Sequence, residues 1–314
     1  MKCTGIRMRF SMQKLAISVT IAAVSGAASL SAQSVQPTVF EPTGTFGNER
    51  LSESSGVAVS RSQPGVLWTH NDSGDRARIY ATNLQGTDLG RFRVRGADSE
   101  DWEDIAIGPC PGNEEYDACV YIADTGDNDG KRRRGVIYIV PEPTVSPEPS
   151  GTEIRTERAH ELGVTYPDGN PDVEALAVTP NGDVLLITKG KRGPVLLYTI
   201  PAERTSERSV RLDPADTLPI FVARRLGNLV TAAAVSPSGQ RLVVRTYMNL
   251  YFFVRDSHGK WQLSGRPCGI GLRQTQGEAV DFIDESSLVL TSEAALGRRA
   301  GLARAVCPFV GDSG

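Results

Sequence analysis

Apolar residues fall in short runs separated by turn-forming residues, and one run recurs five times. It reads Ser55–Val59, Glu103–Ile107, Glu174–Val178, Thr231–Val235 and Glu278–Phe282, with starts 48, 71, 57 and 47 residues apart. After each comes a turn and a second, β-rich run: Val66–His70, Val120–Asp124, Val184–Lys189, Leu242–Thr246 and Leu288–Glu293. A third run follows in every unit: Arg78–Thr82, Val136–Val140, Val195–Ile200, Leu250–Val254 and Leu302–Val306. A more polar fourth segment ends the units that are long enough. Four strands per repeat is a propeller blade, so the pattern predicts an all-β, five-bladed β-propeller. Six blades is the alternative if the 71-residue interval hides one.

The turns agree with this reading. Thr179–Asp183 and Ser236–Gln240 place Pro and Gly where a tight link between first and second strands needs them. Small Ala residues inside the recurring run suit a crowded innermost strand. The last unit lacks room for a fourth strand before Gly314, and Thr38–Phe46 can supply it, closing the ring with the N-terminal strand. No long helix and no second domain is expected in residues 33–314.

Composition narrows the class. With 39% hydrophobic residues the chain can bury a core, and 32 Gly with 19 Pro favour strands and turns over helices. A net charge of -3 gives no field for gripping a nucleic-acid backbone, so no nucleic-acid partner is expected. Lys2, Arg7, Arg9 and Lys14 precede an apolar, small-residue run that ends at Ala32, which reads as a secretory signal over 1–32. That places the mature chain in the periplasm or outside the cell, with no membrane attachment after cleavage. Loss of Cys3 with the signal leaves four cysteines in an oxidising compartment. The expected pairs are Cys110 with Cys119 and Cys268 with Cys307.

In a propeller the loops from strand two to three and from blade to blade open on one face, and here those loops carry the charged residues. The equivalent channel position in successive blades reads Ser55, Glu103, Glu174, Thr231, Glu278. Three carboxylates and two hydroxyls on one axis are an all-oxygen set suited to calcium, with bound water or neighbouring backbone as the alternative. Lys189, Arg245 and Arg298 on the same face can clamp an anion, a combination that suits phosphate esters or anhydrides. Asp101, Asp104, Asp124 and Asp172 are candidates to activate water. His70 is the one histidine on that face and a candidate general base for a lactonase or carboxylesterase. Thr125–Gly130 resembles the start of a calcium-binding loop but lacks the opening Asp and closing Glu, so it reads as a hairpin turn, and Arg132–Arg134 as a solvated loop.

Leu67–Gly74, Asp101–Ala106, Tyr121–Asn128, Tyr166–Gly169 and Asp172–Ala177 carry a resemblance to a largely uncharacterised family of exported bacterial propellers, labelled esterase-like or phytase-like. More distantly, the Ser, Glu, Glu, Thr, Glu ring is similar to the calcium-activated nucleotidases (apyrases), five-bladed propellers with an axial calcium. That resemblance implies a calcium shell of Ser55, Glu103, Glu174, Thr231 and Glu278, with Thr231 standing where Ser is usual. The phytase-like likeness implies several calciums and phosphate on the same face. Together these readings predict a calcium-dependent hydrolase of a small anionic substrate, with an esterase-like hydrolase or a non-catalytic protein- or glycan-binding propeller as alternatives.

Overall fold

The computed structural model describes residues 39–307, apart from 73, 114, 147–150, 223–225 and 275. The expected signal segment lies outside the described residues. Strand β1 (Val39–Thr45) precedes blade 1, which holds β2 (Ser54–Val59), β3 (Leu67–Asn71), β4 (Arg78–Thr82) and β5 (Gly90–Arg95). Blade 2 runs through β6 (Trp102–Gly108), β7 (Cys119–Asp124) and β8 (Gly135–Pro141); the chain then forms β9 (Ile154–Arg158) before β10 (His160–Thr165) completes the blade. Blade 3 holds β11 (Val173–Val178), β12 (Val184–Thr188), β13 (Val195–Ile200) and β15 (Asp216–Leu218), while β14 (Ser209–Arg211), between the last two in sequence, joins the outer edge of the blade 2 sheet. Blade 4 holds β16 (Val230–Val235), β17 (Arg241–Thr246) and β18 (Asn249–Arg255), with β19 (Trp261–Leu263) and β20 (Cys268–Gly269) sharing its fourth position. Blade 5 is β21 (Gly277–Phe282), β22 (Leu288–Ser292) and β23 (Gly301–Val306), and β1 pairs antiparallel with β23 to close the ring.

The strands are apolar on both faces because each blade is covered on both sides. Alternate residues of one strand therefore enter different cores. In β7, Val120 and Ile122 pack toward blade 1 with Trp68, Phe92 and Trp102, while Tyr121 and Ala123 pack toward blade 3 with Leu176, Leu186 and Tyr198. Five such cores fill the five blade interfaces. The predicted tight turns form as expected: the N–H of Gly182 reaches Thr179 O and that of Gly239 reaches Ser236 O, both at 2.8 Å, with positive φ at each glycine.

The uneven repeat spacing has a structural cause. Strand β9, inside the 71-residue interval, turns back to pair parallel with β5 of the preceding blade, and β14, inside the 57-residue interval, does the same on β10. The long intervals thus hold an added outer strand, not a sixth blade. Both expected disulfides form, Cys110–Cys119 and Cys268–Cys307, the second joining blade 4 to blade 5. They point to an oxidising environment.

Candidate functional site

The innermost strands β2, β6, β11, β16 and β21 contact one another in sequence around the axis. Each breaks register with its neighbour near its start: between Ser54 and Gly56, Trp102 and Asp104, Val173 and Ala175, Val230 and Ala232, and Gly277 and Val280. A bulge leaves one residue unpaired and re-aims its side chain. Ser55, Glu103, Glu174, Thr231 and Glu278 all lie in these irregularities, and all are buried.

Their chemistry is not five-fold. Ser55 Oγ donates to Glu103 O at 2.9 Å, and Thr231 Oγ1 to Glu278 O at 2.7 Å, so both hydroxyls tie neighbouring blades together. Glu103 instead gathers acids from the loops. Its carboxylate oxygen lies within 4.8 Å of those of Asp72 and Asp101 on one side and of Asp172 and Glu174 on the other. Gly126 makes room for this approach, since a Cβ there would collide with the carboxylates of Glu103 and Asp101.

One ammonium enters the group. Lys189 Nζ donates to Glu174 Oε1 at 2.5 Å and to Asn128 Oδ1 at 3.3 Å. Burial would lower this ammonium, but Glu174 and the neighbouring carboxylates hold it above its ordinary value. Glu103 is pushed well above the usual carboxylate range by burial and then by the charge of Glu174. Burial, followed by nearby acids, also raises Asp101 to about 6 and Glu293 to about 8, while Glu278 rises to about 7 through burial despite Arg245. The mouth of the channel therefore holds more buried carboxyl groups than its own cations can keep ionised. Asp172 adds a second sign of the same deficit. Its Oδ1 accepts the Asp127 N–H at 2.9 Å, but its buried Oδ2 has no hydrogen-bond partner.

Several expected site residues have other tasks. Asp104 is fully buried and accepts the N–H groups of Ile105 (2.9 Å), Leu176 (2.9 Å) and Ala233 (3.2 Å), which binds blades 2, 3 and 4 across the axis. Asp124 accepts the N–H of Glu100 at 3.2 Å and of Asp101 at 3.1 Å and pairs with Arg132 at 2.8 Å, which fixes the loop carrying Asp101. Arg132 is thus an inward brace, unlike the solvated residue expected, whereas Lys131 is exposed with Asp129. His70 lies inside the blade 1 and 2 interface, its ring edge-on to Trp102 with centroids 5.6 Å apart and Nδ1 2.9 Å from Asn71 O. Burial lowers it to about 4, so it is a neutral imidazole sealed within the packing.

The three expected anion-binding cations have different partners. Lys189 is engaged as above. Arg245 is fully buried, donating to Ala279 O, to Thr291 O at 3.0 Å and to Gln274 Oε1 at 2.6 Å. Gly277 is required beside it, because a Cβ would collide with the guanidinium. Arg298 is exposed on the β22–β23 loop and pairs with none of these carboxylates. Two other cations of the Lys189 loop, outside the expected anion-binding set, reach the mouth. Lys191 Nζ donates to Asn128 Oδ1 at 3.2 Å, the atom that also receives Lys189, and Arg192 donates to Asn128 O at 2.8 Å. Both are exposed.

No protein-family model matches the chain, and no curated protein matches it. Solved structures are similar in fold. The PQQ-bound aldose sugar dehydrogenase of Streptomyces coelicolor matches with a TM-score of 0.53 and 13% identity, over 87% of this chain and 100% of that one. A putative oxidoreductase (glucose dehydrogenase) of Thermus thermophilus matches with a TM-score of 0.45 and 13% identity, over 86% and 100%. At these identities the likeness concerns the propeller fold alone.

Proposed function

We propose that the acidic mouth binds a calcium ion and that the protein is an exported, calcium-dependent hydrolase of a small anionic compound, a phosphate ester or anhydride. The observation that carries this reading is the buried, unpartnered Oδ2 of Asp172 beside Glu103 and Glu174, in a group of carboxylates with one ammonium among them. Such an all-oxygen, acid-rich set suits calcium, with Glu103, Asp172 and Glu174 as ligands and Asp72 and Asp101 adjoining. A bound cation would neutralise charge developing on phosphate oxygens and acidify a water.

The chain's own residues divide the remaining work. Lys191 and Arg192, exposed beside Asn128, meet an incoming anion, and Arg132 with Asp124 holds the Asp101 loop in place. Asp101, like Asp72, is a half-buried carboxyl of the group, open enough to accept a proton from attacking water. Asp104 and His70 take no part in this scheme, the first being occupied by backbone and the second sealed, and Asp124 has no part beyond bracing that loop.

Phosphate release from nucleotides and sugar phosphates, with calcium and with chelator, tests the reading. Expected is calcium-dependent release that Asp101→Asn and Asp172→Asn each reduce by about 100-fold or more. Calcium should also raise the melting temperature of wild type but not of Asp172→Asn. Absence of both effects would overturn the proposal. A calcium-dependent melting shift without turnover of any phosphate compound would leave a metal-binding, non-catalytic propeller.

A further inference from the structure

The channel wall contains two worked examples of how its inward-facing amides hold a carboxylate. Asp104 takes the N–H groups of Ile105, Leu176 and Ala233, which stand at the same step of β6, β11 and β16. Asp281 does the same one step further from the acidic mouth, accepting the N–H groups of Val59 and Phe282 at 2.7 Å each, from β2 and β21.

That second step has five amides, one per blade, and Asp281 uses two. The others belong to Ile107, Val178 and Val235. Each lies two residues beyond an amide held by Asp104, so the strand period turns it to the same inward edge. The neighbouring N–H groups confirm the alternation, since those of Thr179 and Ser236 point outward to Asp183 O and Arg241 O. All three residues line a chamber of about 390 Å3 at the mouth opposite the carboxylates. Its walls are mainly aliphatic, with Val57 and Ile105 one step nearer the acidic mouth, and they include the carboxylates of Asp117 and Asp281. Arg61 stands at its rim with its side chain 38% exposed, fixed by bonds to Phe282 O at 2.7 Å and Ile283 O at 3.1 Å, and 3.8 Å from Asp281.

We propose that this chamber is a second binding site, which takes a small aliphatic carboxylate. The ligand's carboxylate would accept the N–H groups of Ile107, Val178 and Val235, repeating the bonds Asp104 makes one step away. Its hydrocarbon would lie against the aliphatic wall, and Arg61 would supply charge at the rim. Nothing in this assignment depends on metal at the acidic mouth.

Titration of the 15N-labelled mature chain with butyrate, followed by amide resonances, tests it. The Ile107, Val178 and Val235 amides should shift together on one saturable curve, and 1-butanol should leave them unmoved. Arg61→Gln, at an exposed rim position, should weaken butyrate by about tenfold while the same amides still report binding. A peptide ending in valine, compared as free acid and as amide, separates the two sources of such a carboxylate. Tighter binding of the free-acid peptide than of butyrate assigns a protein C-terminus, and the reverse assigns a free acid. No shift at the three amides, shifts confined to residues around Glu103, or an equal response to 1-butanol would overturn the proposal.

Discussion

Replacing Lys189 with Met should convert the acidic mouth from a compensated site into an uncompensated one. The two side chains of the Lys189–Glu174 pair are 11% and 5% exposed, so solvent screens them little. Met keeps most of the aliphatic stem but leaves Glu174 facing Glu103 and Asp172 with no ammonium. Breaking a buried pair by removing one partner costs about 3–5 kcal/mol. For a domain this large, each kcal/mol lowers the melting temperature by roughly 2–4 °C, so a fall on the order of 10 °C is expected near neutral pH. Urea unfolding of wild type, Lys189→Met, Glu174→Gln and the double variant measures the coupling directly. The double variant should recover much of the loss, because Glu174, the carboxylate bonded to Lys189, is then neutral. Calcium should stabilise Lys189→Met by more than it stabilises wild type. A loss below about 1 kcal/mol, or a double variant no more stable than Lys189→Met, would refute the argument that this ammonium holds the acids together.

Three further outcomes are expected. Asp104→Ala should cost at least about 3 kcal/mol in urea unfolding, since it strands three buried N–H groups at about 1 kcal/mol or more each. Cys268→Ser with Cys307→Ser should cost about 4 kcal/mol from the 39-residue separation, clearly more than the equivalent change at Cys110 and Cys119 with a separation of 9, as read by thermal melts of the two double variants. His70 is held near 4 against an ordinary value of 6.5, so the unfolded chain takes up its proton first as pH falls. The associated stability is fully present above about 6.5 and shrinks by about 3 kcal/mol towards pH 4, and unfolding free energies of His70→Leu should lack that step.

The blades were legible because each inner strand repeats a run of small and apolar residues, and a strand buried on both faces has few other solutions. Ring closure and both disulfides followed from the same count. The parallel excursions of β9 and β14 were not legible: each is short, polar and paired to a preceding blade, with only an over-long repeat interval as a trace. The site was legible as a face and not as a geometry. Glu103 and Asp104 are adjacent in sequence, yet the bulge sends one to the acid cluster and leaves the other bonded to the backbone of three blades. Asp281, standing where the other repeats have Ala, was the signal for a second such staple. Lys191 and Arg192 were visible in their loop, but only the shared contact with Asn128 shows that they reach the mouth.

The pairing of β1 with β23 joins residues 39–45 to residues 301–306, so the first of the described strands to be made is the last to find its partner. At a synthesis rate of about 5–20 residues per second, β1 waits roughly ten seconds to a minute for the strand that completes its sheet. During that interval it is an open edge, and its sequence suits the wait: Pro42 removes a donor and the register breaks between Pro42 and Gly44. A chain shortened by its last dozen residues before 307 would leave both this edge and the outer edge of β22 exposed at once, so loss of the C-terminal strand is expected to produce aggregation in place of a smaller propeller.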